Sequence, residues 1–390
     1  MRQKDAERIN KLKLSRMKVA LIHDYLIRCG GAERVFFNLR QIFPRADIYT
    51  LLYDKKEMGK YFPKTEIGTS FLQKFPKIWR KNHKYLLPFL PTAAESFDLR
   101  EYDLVISSSS SFIKGVISRP KAVHICYCHS PMRFSWDYYS NYIGEQKKGF
   151  LLSLAARLLM HYIRMWDRSA AERVDYFIAN SKTTAWRIKR YYGKESKIIY
   201  PPVDLGMKQV FSTITDIPKE KYFLIVSQLT PYKKINLAVE AFNKLDLPLI
   251  IIGQGPEKKR LEKMALGNIK FLGWQPDAIV KYYYQNCLAM IFPGEDDFGI
   301  APVEAMSFGR PVLAYRKGGA TETVIEGITG EFFDDLAVES LADGVRRLTL
   351  NLSSYSPLVI RKAVEKFSRE RFEIDFREFV IQALEKSGSL

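Results

Sequence analysis

Short apolar runs recur along the chain and end at polar or glycine residues, which is typical of buried strands in a parallel sheet. The first run covers residues 18–23, and the turn Gly30-Gly31 follows it before apolar positions resume at helical spacing in Val35, Phe36 and Leu39. Further strands are predicted at 48–52, 104–107, 124–128, 176–179 and 197–200. Because helical segments separate several of these runs, the pattern predicts a Rossmann-like, doubly wound α/β domain.

The pattern stops at Pro201-Pro202, where two prolines exclude a helix and stiffen the chain, as suits a hinge between domains. It then starts again, with strands predicted at 222–226, 248–252, 269–272, 288–292 and 311–314 and helices at 234–245, 257–266 and 302–308. We therefore expect two Rossmann-like domains that face each other across a cleft. The predicted parts are a basic extension at 1–16, the domains at 17–203 and 204–360, and a helical tail at 361–390 that returns to the first domain.

Charge is divided very unevenly between the two halves. The net charge is +18, and residues 1–206 hold all of this excess, because positive and negative residues balance in 207–390. Such a field attracts phosphates, nucleic acid or anionic lipid. Residues 55–91 interleave lysines with aromatic residues, and 147–168 form a basic, apolar, helix-like stretch. Both segments suit an anionic bilayer surface, although packed helices with long lysine side chains at their edges would show the same pattern.

Membrane-spanning and secreted proteins are not indicated. The best apolar window, 150–160, is short and carries Arg157, and residues 1–16 lack the apolar core of a secretory signal. Met17 stands directly before the first strand, so either Met1 or Met17 could be the start. Four cysteines in a chain of 390 residues form neither a disulfide framework nor a zinc pattern, which fits a reducing cytoplasm.

Candidate chemistry follows several of the predicted strands, where α/β sheets bind their ligands. Gly30-Gly31 opens a helix and allows a phosphate to approach the backbone, although a plain tight turn would look the same. His129 and Arg133 follow the strand at 124–128 and could hydrogen-bond a sugar or a phosphate. Lys233 and Lys234 precede the helix at 234–245, next to the position that a diphosphate favours.

The loop Pro293–Met306 carries the most specific signal. Carboxylates at Glu295, Asp296 and Asp297 and a glycine precede a helix that begins near Pro302 and carries Glu304 in its first turn. The loop amides could meet phosphate and sugar oxygens, while Asp296 and Glu304 could accept hydrogen bonds from hydroxyl groups. The same two carboxylates could instead form an acid and base pair of the glycosidase type, or belong to a solvated acidic loop.

The order of these motifs resembles the retaining GT-B glycosyltransferases of family four, over nearly the whole chain from Met17. Within that family it resembles the WbaZ-like mannosyltransferases of lipopolysaccharide and O-antigen assembly. The resemblance implies that the second domain binds a nucleotide sugar, GDP-mannose being the best guess, and that the first binds the acceptor. The residues that carry it are His129-Ser130-Pro131-Met132-Arg133, Pro231-Tyr232-Lys233-Lys234 and Glu295–Glu304.

The resemblance also implies roles for single residues. Glu304 would hold the ribose, Asp296 the transferred sugar, and Lys233 the donor diphosphate. Backbone contacts would come from Phe298, Gly299 and Ile300, Gly30-Gly31 would lie against the diphosphate, and His129 would touch the sugar. Two departures affect this transfer of roles, because Asp296 stands where the family has Glu and Gln228 stands where it has Arg. Glu295 and Lys234 are the residues that could compensate for them.

The expected enzyme is a hexosyltransferase that needs no metal and no cofactor beyond its nucleotide-sugar co-substrate. Its expected acceptor is a lipid-linked saccharide or glycan, and its expected location is the cytoplasmic, inner face of the cell membrane, as a peripheral protein. A nucleotide-sugar epimerase or a non-catalytic sugar-nucleotide-binding protein is the alternative. A nucleic-acid-binding protein is more remote and is not expected, because no motif of that class is present.

Overall fold

The computed structural model describes residues 16–63, 65–81, 83–137, 150–205 and 220–389. The chain divides into two compact units. The first comprises Met1–Pro202 together with Phe372–Leu390, and the second comprises Val203–Arg371.

The first unit is built on a seven-stranded parallel sheet in the order β3-β2-β1-β4-β5-β6-β7. Its strands are β1 (Val19–Leu26), β2 (Asp47–Tyr53), β3 (Ile67–Thr69), β4 (Leu104–Ser109), β5 (Val123–Cys128), β6 (Tyr176–Ala179) and β7 (Ser196–Ile198). Its helices are α1 (Gly31–Ile42), α2 (Lys55–Met58), α3 (Lys77–Lys81), α4 (Leu90–Glu95), α5 (Phe150–Ala171) and α6 (Lys182–Tyr192), and short 3-10 turns lie at Gly59–Tyr61, Phe71–Lys74, His83–Phe89 and Ile113–Gly115.

Helices cover both faces of this sheet, which explains why its strands are apolar on both sides. Leu21 and Ile125 point into a core shared with α1, whereas Ala20 and Ile22 point into a core shared with α4 and α5. The C-terminal helix α14 (Arg369–Lys386) also belongs to the first of these cores, through buried Phe372, Phe376, Val380, Ala383 and Leu384.

The second unit has a six-stranded parallel sheet in the order β10-β9-β8-β11-β12-β13. Its strands are β8 (Phe223–Val226), β9 (Leu249–Ile252), β10 (Ile269–Gly273), β11 (Ala289–Phe292), β12 (Val312–Tyr315) and β13 (Gly330–Phe333). Its helices are α7 (Ile235–Leu245), α8 (Lys258–Met264), α9 (Asp277–Asn286), α10 (Ile300–Ser307), α11 (Ala320–Thr323), α12 (Val338–Leu350) and α13 (Pro357–Ala363), with 3-10 turns at Pro231–Lys233, Leu352–Ser354 and Glu365–Phe367.

The predicted strands are all present, with bounds that shift by up to three residues, and the prediction of two doubly wound parallel sheets is confirmed. Strands β3 and β13 were not predicted, because β3 has only three residues and β13 begins Gly-Glu, which breaks an apolar run. Several helices were also not predicted, among them α6, α9 and α12. Among the described residues, no helix combines the length and the apolar character needed to cross a bilayer.

Candidate functional site

Both sheets reverse their strand order once, and such switch points are where open α/β sheets bind ligands, beyond the carboxyl ends of the strands. In the first unit the reversal lies between β1 and β4, and in the second between β8 and β11. The segments that leave these four strands contain most of the predicted site residues. The carboxyl edge of each sheet is therefore the candidate site of that unit.

In the second unit, the segments after β8 and β11 are joined by a short ion pair. The Nζ atom of Lys233 donates to Oδ2 of Asp296 at 2.5 Å. The side chain of Lys233 is only 12% exposed, and its ammonium lies over the rings of Tyr232 and Phe292, 5.2 and 5.8 Å from their centroids. Aromatic faces attract a cation, so ring and carboxylate contacts together fix the ammonium group at this edge.

Glycines let the loops of this edge pack backbone against backbone. A Cβ atom on Gly294 would lie 2.7 Å from the carbonyl oxygen of Lys233, and one on Gly319 would lie 2.2 Å from the Cα atom of Phe298. The amide of Gly319 also donates to the carbonyl of Asp296 at 2.9 Å. The segments after β8, β11 and β12 are therefore interlocked, and no side chain larger than hydrogen fits at the two contact points.

The loop after β11 leads into α10 through Gly299, whose φ of +84° lies in the left-handed region that favours glycine. Ile300 begins the helix and Glu304 lies one turn further on, where its Oε2 accepts a hydrogen bond of 3.1 Å from the hydroxyl of Tyr284. The N-cap residue Gly299 has no side chain with which to cap the first amides of α10, so these amides are suited to an anionic ligand. The ring of Phe298 is buried, 5.3 Å from that of Phe367, so only its backbone is suited to ligand contact.

The remaining predicted residues of this unit lie at the same edge. Gln228 is exposed two residues after β8, and Glu295 precedes Asp296 in the loop after β11. Lys234 has a φ of +54° and directly precedes α7. Asp296 is paired with Lys233 while Glu304 is bonded to Tyr284, so the two carboxylates have unlike partners. This arrangement does not favour an acid and base pair of the glycosidase type.

In the first unit, the carboxyl edge is built from buried polar side chains. The carboxylate of Asp24, in β1, accepts hydrogen bonds from four consecutive backbone amides, those of Ser110, Ser111, Phe112 and Ile113, at 2.6 to 2.9 Å. Asp24 thereby holds the segment that leaves β4. Sequence reasoning missed this residue, although the polar pair His23-Asp24 inside an apolar strand was a signal that could have revealed it.

His129 belongs to a chain of buried polar groups at this edge. Its Nε2 lies 2.8 Å from the hydroxyl of Ser108, which lies 3.0 Å from Nδ1 of His23. The other ring nitrogen of His23 lies 3.5 Å from the carboxylate of Glu33, in α1. Burial, together with the neighbouring His23, lowers the pKa of His129 to about 3, so its ring is neutral at physiological pH. Arg133 lies in the turns that follow, four residues along.

The turn Gly30-Gly31 lies where α1 begins, as predicted, but its first amide is engaged. The amide of Gly30 donates to Oε2 of Glu33 at 2.8 Å, and Gly31 is the first residue of α1. A carboxylate of the chain itself thus occupies this donor. A diphosphate at the turn would have to use the other amides, so the contact expected for Gly30-Gly31 stays a prediction.

A cavity of about 770 Å³ lies at the opposite, amino edge of the first sheet, lined among others by Arg119, Lys121 and Asp175. It contains none of the predicted site residues. Ligands of parallel sheets bind at the carboxyl ends, so we place the candidate site there and not in this cavity. Over the described ranges, no three His, Cys, Asp or Glu side chains are grouped as a metal site would need.

Two family models match the chain. One, described as Glycosyltransferase Family 4, matches residues 29–206, and the other, described as Glycosyl transferases group 1, matches residues 208–361. Together they cover more than four fifths of the sequence. The chain belongs to the family-4 glycosyltransferases. This membership confirms the family predicted from the motifs.

Two relatives of this glycosyltransferase illustrate its range of similarity. D-rhamnosyltransferase WbpZ of Pseudomonas aeruginosa is 28% identical over 50% of this chain and 52% of its own length. The chain therefore spans about half the length of that relative. The alpha-1,3/1,6-mannosyltransferase ALG2 of Saccharomyces cerevisiae is 24% identical over 94% of this chain and 85% of its own length. Relatives named as mannosyltransferases, together with the family, confirm the prediction of a hexosyltransferase enzyme.

The fold of the glycosyltransferase is similar to that of solved GT-B structures. HepE of Anabaena, in complex with UDP and glucose, superposes with a TM-score of 0.68 at 18% identity, over 94% of this chain and 99% of that one. At this identity the likeness shows the fold alone, and the predicted GT-B fold class is confirmed. The roles of the individual site residues stay predictions.

Proposed function

We propose that this glycosyltransferase transfers mannose from GDP-mannose, with retention of the anomeric configuration, to a lipid-linked saccharide or glycan at a membrane surface. The yeast relative named an alpha-1,3/1,6-mannosyltransferase supports the sugar. The structural neighbour that contains UDP and glucose supports a nucleotide-sugar donor. The observation that carries the proposal is the pair of Lys233 and Asp296 at the switch point of the second sheet.

The donor is held by the carboxyl edge of the second unit. Its diphosphate lies against the ammonium of Lys233 and the first amides of α10, which are positive groups fixed before the donor arrives. Glu304, bonded to Tyr284 and so limited in its rotamers, accepts hydrogen bonds from the ribose hydroxyls. Asp296 holds the ammonium in place and turns its second oxygen to a hydroxyl of the transferred sugar.

In the reaction, the bond between the anomeric carbon and the diphosphate oxygen breaks, and negative charge develops on the leaving diphosphate. Lys233 and the amides of α10 stabilise that charge as it forms, which lowers the barrier because these groups need no reorganisation. The acceptor oxygen bonds to the anomeric carbon on the face from which the diphosphate departs, and the leaving phosphate takes the proton of that acceptor hydroxyl. No metal ion and no further cofactor take part in this proposed mechanism.

The acceptor is bound by the first unit, whose carboxyl edge presents the neutral ring of His129 and the adjacent Arg133. A neutral imidazole has one donor and one acceptor nitrogen; Ser108 engages Nε2, so Nδ1 is the nitrogen that meets a sugar hydroxyl. The positive charge of residues 1–206 favours an acceptor that carries phosphate or lies on an anionic membrane.

A thermal-shift screen of nucleotide sugars tests the donor. A ligand that binds only the folded protein stabilises it by about 2.7 kcal/mol at a hundred times its Kd, so GDP-mannose should raise the melting temperature more than GDP-glucose or UDP-glucose. Turnover of the best donor is then followed with and without a lipid-linked acceptor, and NMR of the product reports the anomeric configuration. Consumption of the donor to an epimer without acceptor would identify an epimerase, and no shift with any nucleotide sugar would refute the proposal.

A further inference from the structure

The long helix α5 carries an apolar stripe on its outward face. The stripe consists of Leu154, Leu158, Tyr162 and Met165, which are all exposed and follow one another at helical spacing. The opposite face of the helix is buried, through Met160, Ile163, Trp166 and Ala170. The inner face of α5 thus supplies the contacts that pack the helix onto the unit. The exposed stripe extends about 16 Å along the surface and takes no part in that packing.

Helix α6 lies beside α5 on the same face of the sheet. Ile188 and Tyr192 of α6 share a core with Ala171 of α5 and with Cys126 and Cys128 of β5. The guanidinium of Arg168 also donates to the carbonyl of Tyr191 at 2.6 Å. The outward faces of the two helices are therefore directed away from the same side of the sheet. On α6 this face presents Trp186, which is 61% exposed.

Charge on these two helices has a single sign at the surface. Together they contain seven Lys or Arg residues and one acidic residue, Asp167. Asp167 is buried, where it pairs with Lys114 and accepts hydrogen bonds from Trp136 and Tyr192.

Two basic residues of α6 form ion pairs with acidic residues outside the two helices: Arg187 pairs with Asp137, and Lys189 pairs with Glu195. Arg157, Arg168 and Arg190 are exposed on the two helices that carry the apolar stripe and Trp186.

A cluster of aromatic residues lies on the same face of the first sheet as α5. The ring of Phe75 lies 5.7 to 6.5 Å from those of Phe71, Trp79 and Phe89, which are all partly exposed. Leu72 and Leu90, next to them in the chain, share the buried core with Met160 and Ile163 of α5. The sheet face that α5 covers thus carries further exposed aromatic residues on its outer side.

We propose that the outward face of α5 and α6, defined by Leu154, Leu158, Tyr162, Met165 and Trp186, lies on an anionic lipid bilayer. Leucine and aromatic side chains flanked by arginines, with no exposed acidic residue within α5 or α6 themselves, match the interface between acyl chains and negatively charged headgroups. An acidic protein would be attracted by the same charge, but the uninterrupted row of apolar side chains favours lipid. This inference rests on the proposed function for its biological setting and names the surface that meets the membrane.

Co-sedimentation of the full chain with vesicles tests the proposal. Binding is expected to vesicles of phosphatidylcholine mixed with phosphatidylglycerol, to weaken in high salt, and to be much weaker with phosphatidylcholine alone. The variant L158E places a charge in the centre of the stripe and should lower the partition coefficient roughly tenfold or more, because one buried leucine is worth at least that factor. R157E should weaken binding mainly at low salt.

Matched controls are L350E and L358E, which alter leucines of the second unit that are more exposed (82% and 74%) than Leu158 (62%) and should bind vesicles as the unaltered chain does. Circular dichroism checks that each variant is folded. Equal binding by L158E and the unaltered chain, or no binding to anionic vesicles, would overturn the proposal. So would a dimer in solution that L158E disperses, since the stripe would then bind a second copy.

Failure of this inference is distinguishable from failure of the proposed function. Donor binding by thermal shift does not involve the outward face, so L158E should respond to GDP-mannose as the unaltered chain does. A chain that binds the donor normally but ignores vesicles refutes the membrane surface alone. A chain that binds anionic vesicles but no nucleotide sugar refutes the proposed transferase reaction and leaves the surface in place.

Discussion

The two units share one architecture, yet the carboxyl edge of the second is built mainly from backbone contacts and that of the first from buried polar side chains. In the second unit, backbone meets backbone at Gly294 and Gly319, and one ion pair, Lys233 with Asp296, spans the switch point. In the first unit, buried side chains fill the equivalent position, with Asp24 on four amides and His129 at the end of a polar chain. The same fold thus supports one edge built by the backbone and one built by side chains.

This difference matches the task proposed for each edge. A backbone cradle with one fixed cation suits a group of constant charge, such as a diphosphate, because amides and lysine keep their state over a wide pH range. An edge of histidines and serines suits a neutral, hydroxyl-rich ligand and can titrate. All five histidines lie in the first 161 residues, so the second unit contains none.

The largest expected effect concerns the cation of the second edge. Replacing Lys233 by alanine removes the group that stabilises the leaving diphosphate, and we expect kcat to fall by roughly a thousandfold, as for loss of one preorganised electrostatic group. The melting temperature should change little, because Lys233 contributes no apolar packing of its own to the core. Initial rates of donor consumption and a thermal melt measure the two quantities.

Lys244→Ala is the matched control, since Lys244 forms an exposed ion pair with Glu339 at 2.7 Å in the same unit. It should leave both quantities nearly unchanged, because exposed pairs contribute little. If Lys233→Ala kept most of its turnover, the contrast between a fixed-charge edge and a titrating edge would lose its main support.

Much of this contrast could be predicted from the sequence. The remainder involves contacts between residues that are far apart along the chain. Apolar runs and glycine turns are local signals, so the strands and the position of Lys233 and Asp296 after β8 and β11 could be predicted. The buried chain from His23 to Ser108 joins residues 85 positions apart. It forms because β1 and β4 are neighbours in register, which a single sequence does not reveal.

The exposed stripe of α5 was predicted only as an apolar, basic, helix-like stretch. Periodicity identified the helix, but which apolar residues face the sheet depends on the elements that pack against it. Similarly, the sequence indicated Gly30-Gly31 as an anion site without revealing that Glu33 already accepts from the amide of Gly30.

A second prediction tests whether the donor edge is made by the backbone. Replacing Gly319 by alanine places a Cβ atom 2.2 Å from the backbone of Phe298, so the segments after β11 and β12 must move apart. We expect a loss of about 3 kcal/mol in the free energy of unfolding, in the range for overpacked sites, together with weaker binding of the donor. Urea unfolding and a thermal shift with GDP-mannose measure these effects.

Gly267→Ala serves as its control, because Gly267 has no atom within 4 Å of a built Cβ and does not need a positive φ. It should be neutral or slightly stabilising. Equal stability of the two variants would show that the loops yield easily and that the second edge is not a rigid cradle.

The smallest effect per residue is expected from acid, and it should fall on the first unit. Burial lowers the pKa of His124 to about 4, and burial together with His23 lowers that of His129 to about 3. In the unfolded chain both imidazoles take up a proton near pH 6.5, so the unfolded state binds more protons below that pH. Stability is therefore lost as the pH falls from about 6.5 towards these folded pKa values. Each histidine should remove about 2 kcal/mol between pH 7 and pH 5.

Tryptophan fluorescence can assign this loss to a unit, because Trp274 is the only tryptophan of the second unit's sequence and the other four belong to the first. The transition reported by the first unit should shift to lower denaturant on acidification, and the one reported by Trp274 should shift less. His129→Gln should remove about half of the pH-dependent loss, whereas His161→Gln, at an exposed position of α5, should leave it unchanged. Equal shifts of both transitions would mean that the titrating groups are not confined to the first unit, and the distinction between the two edges would then rest on Lys233 and the glycines alone.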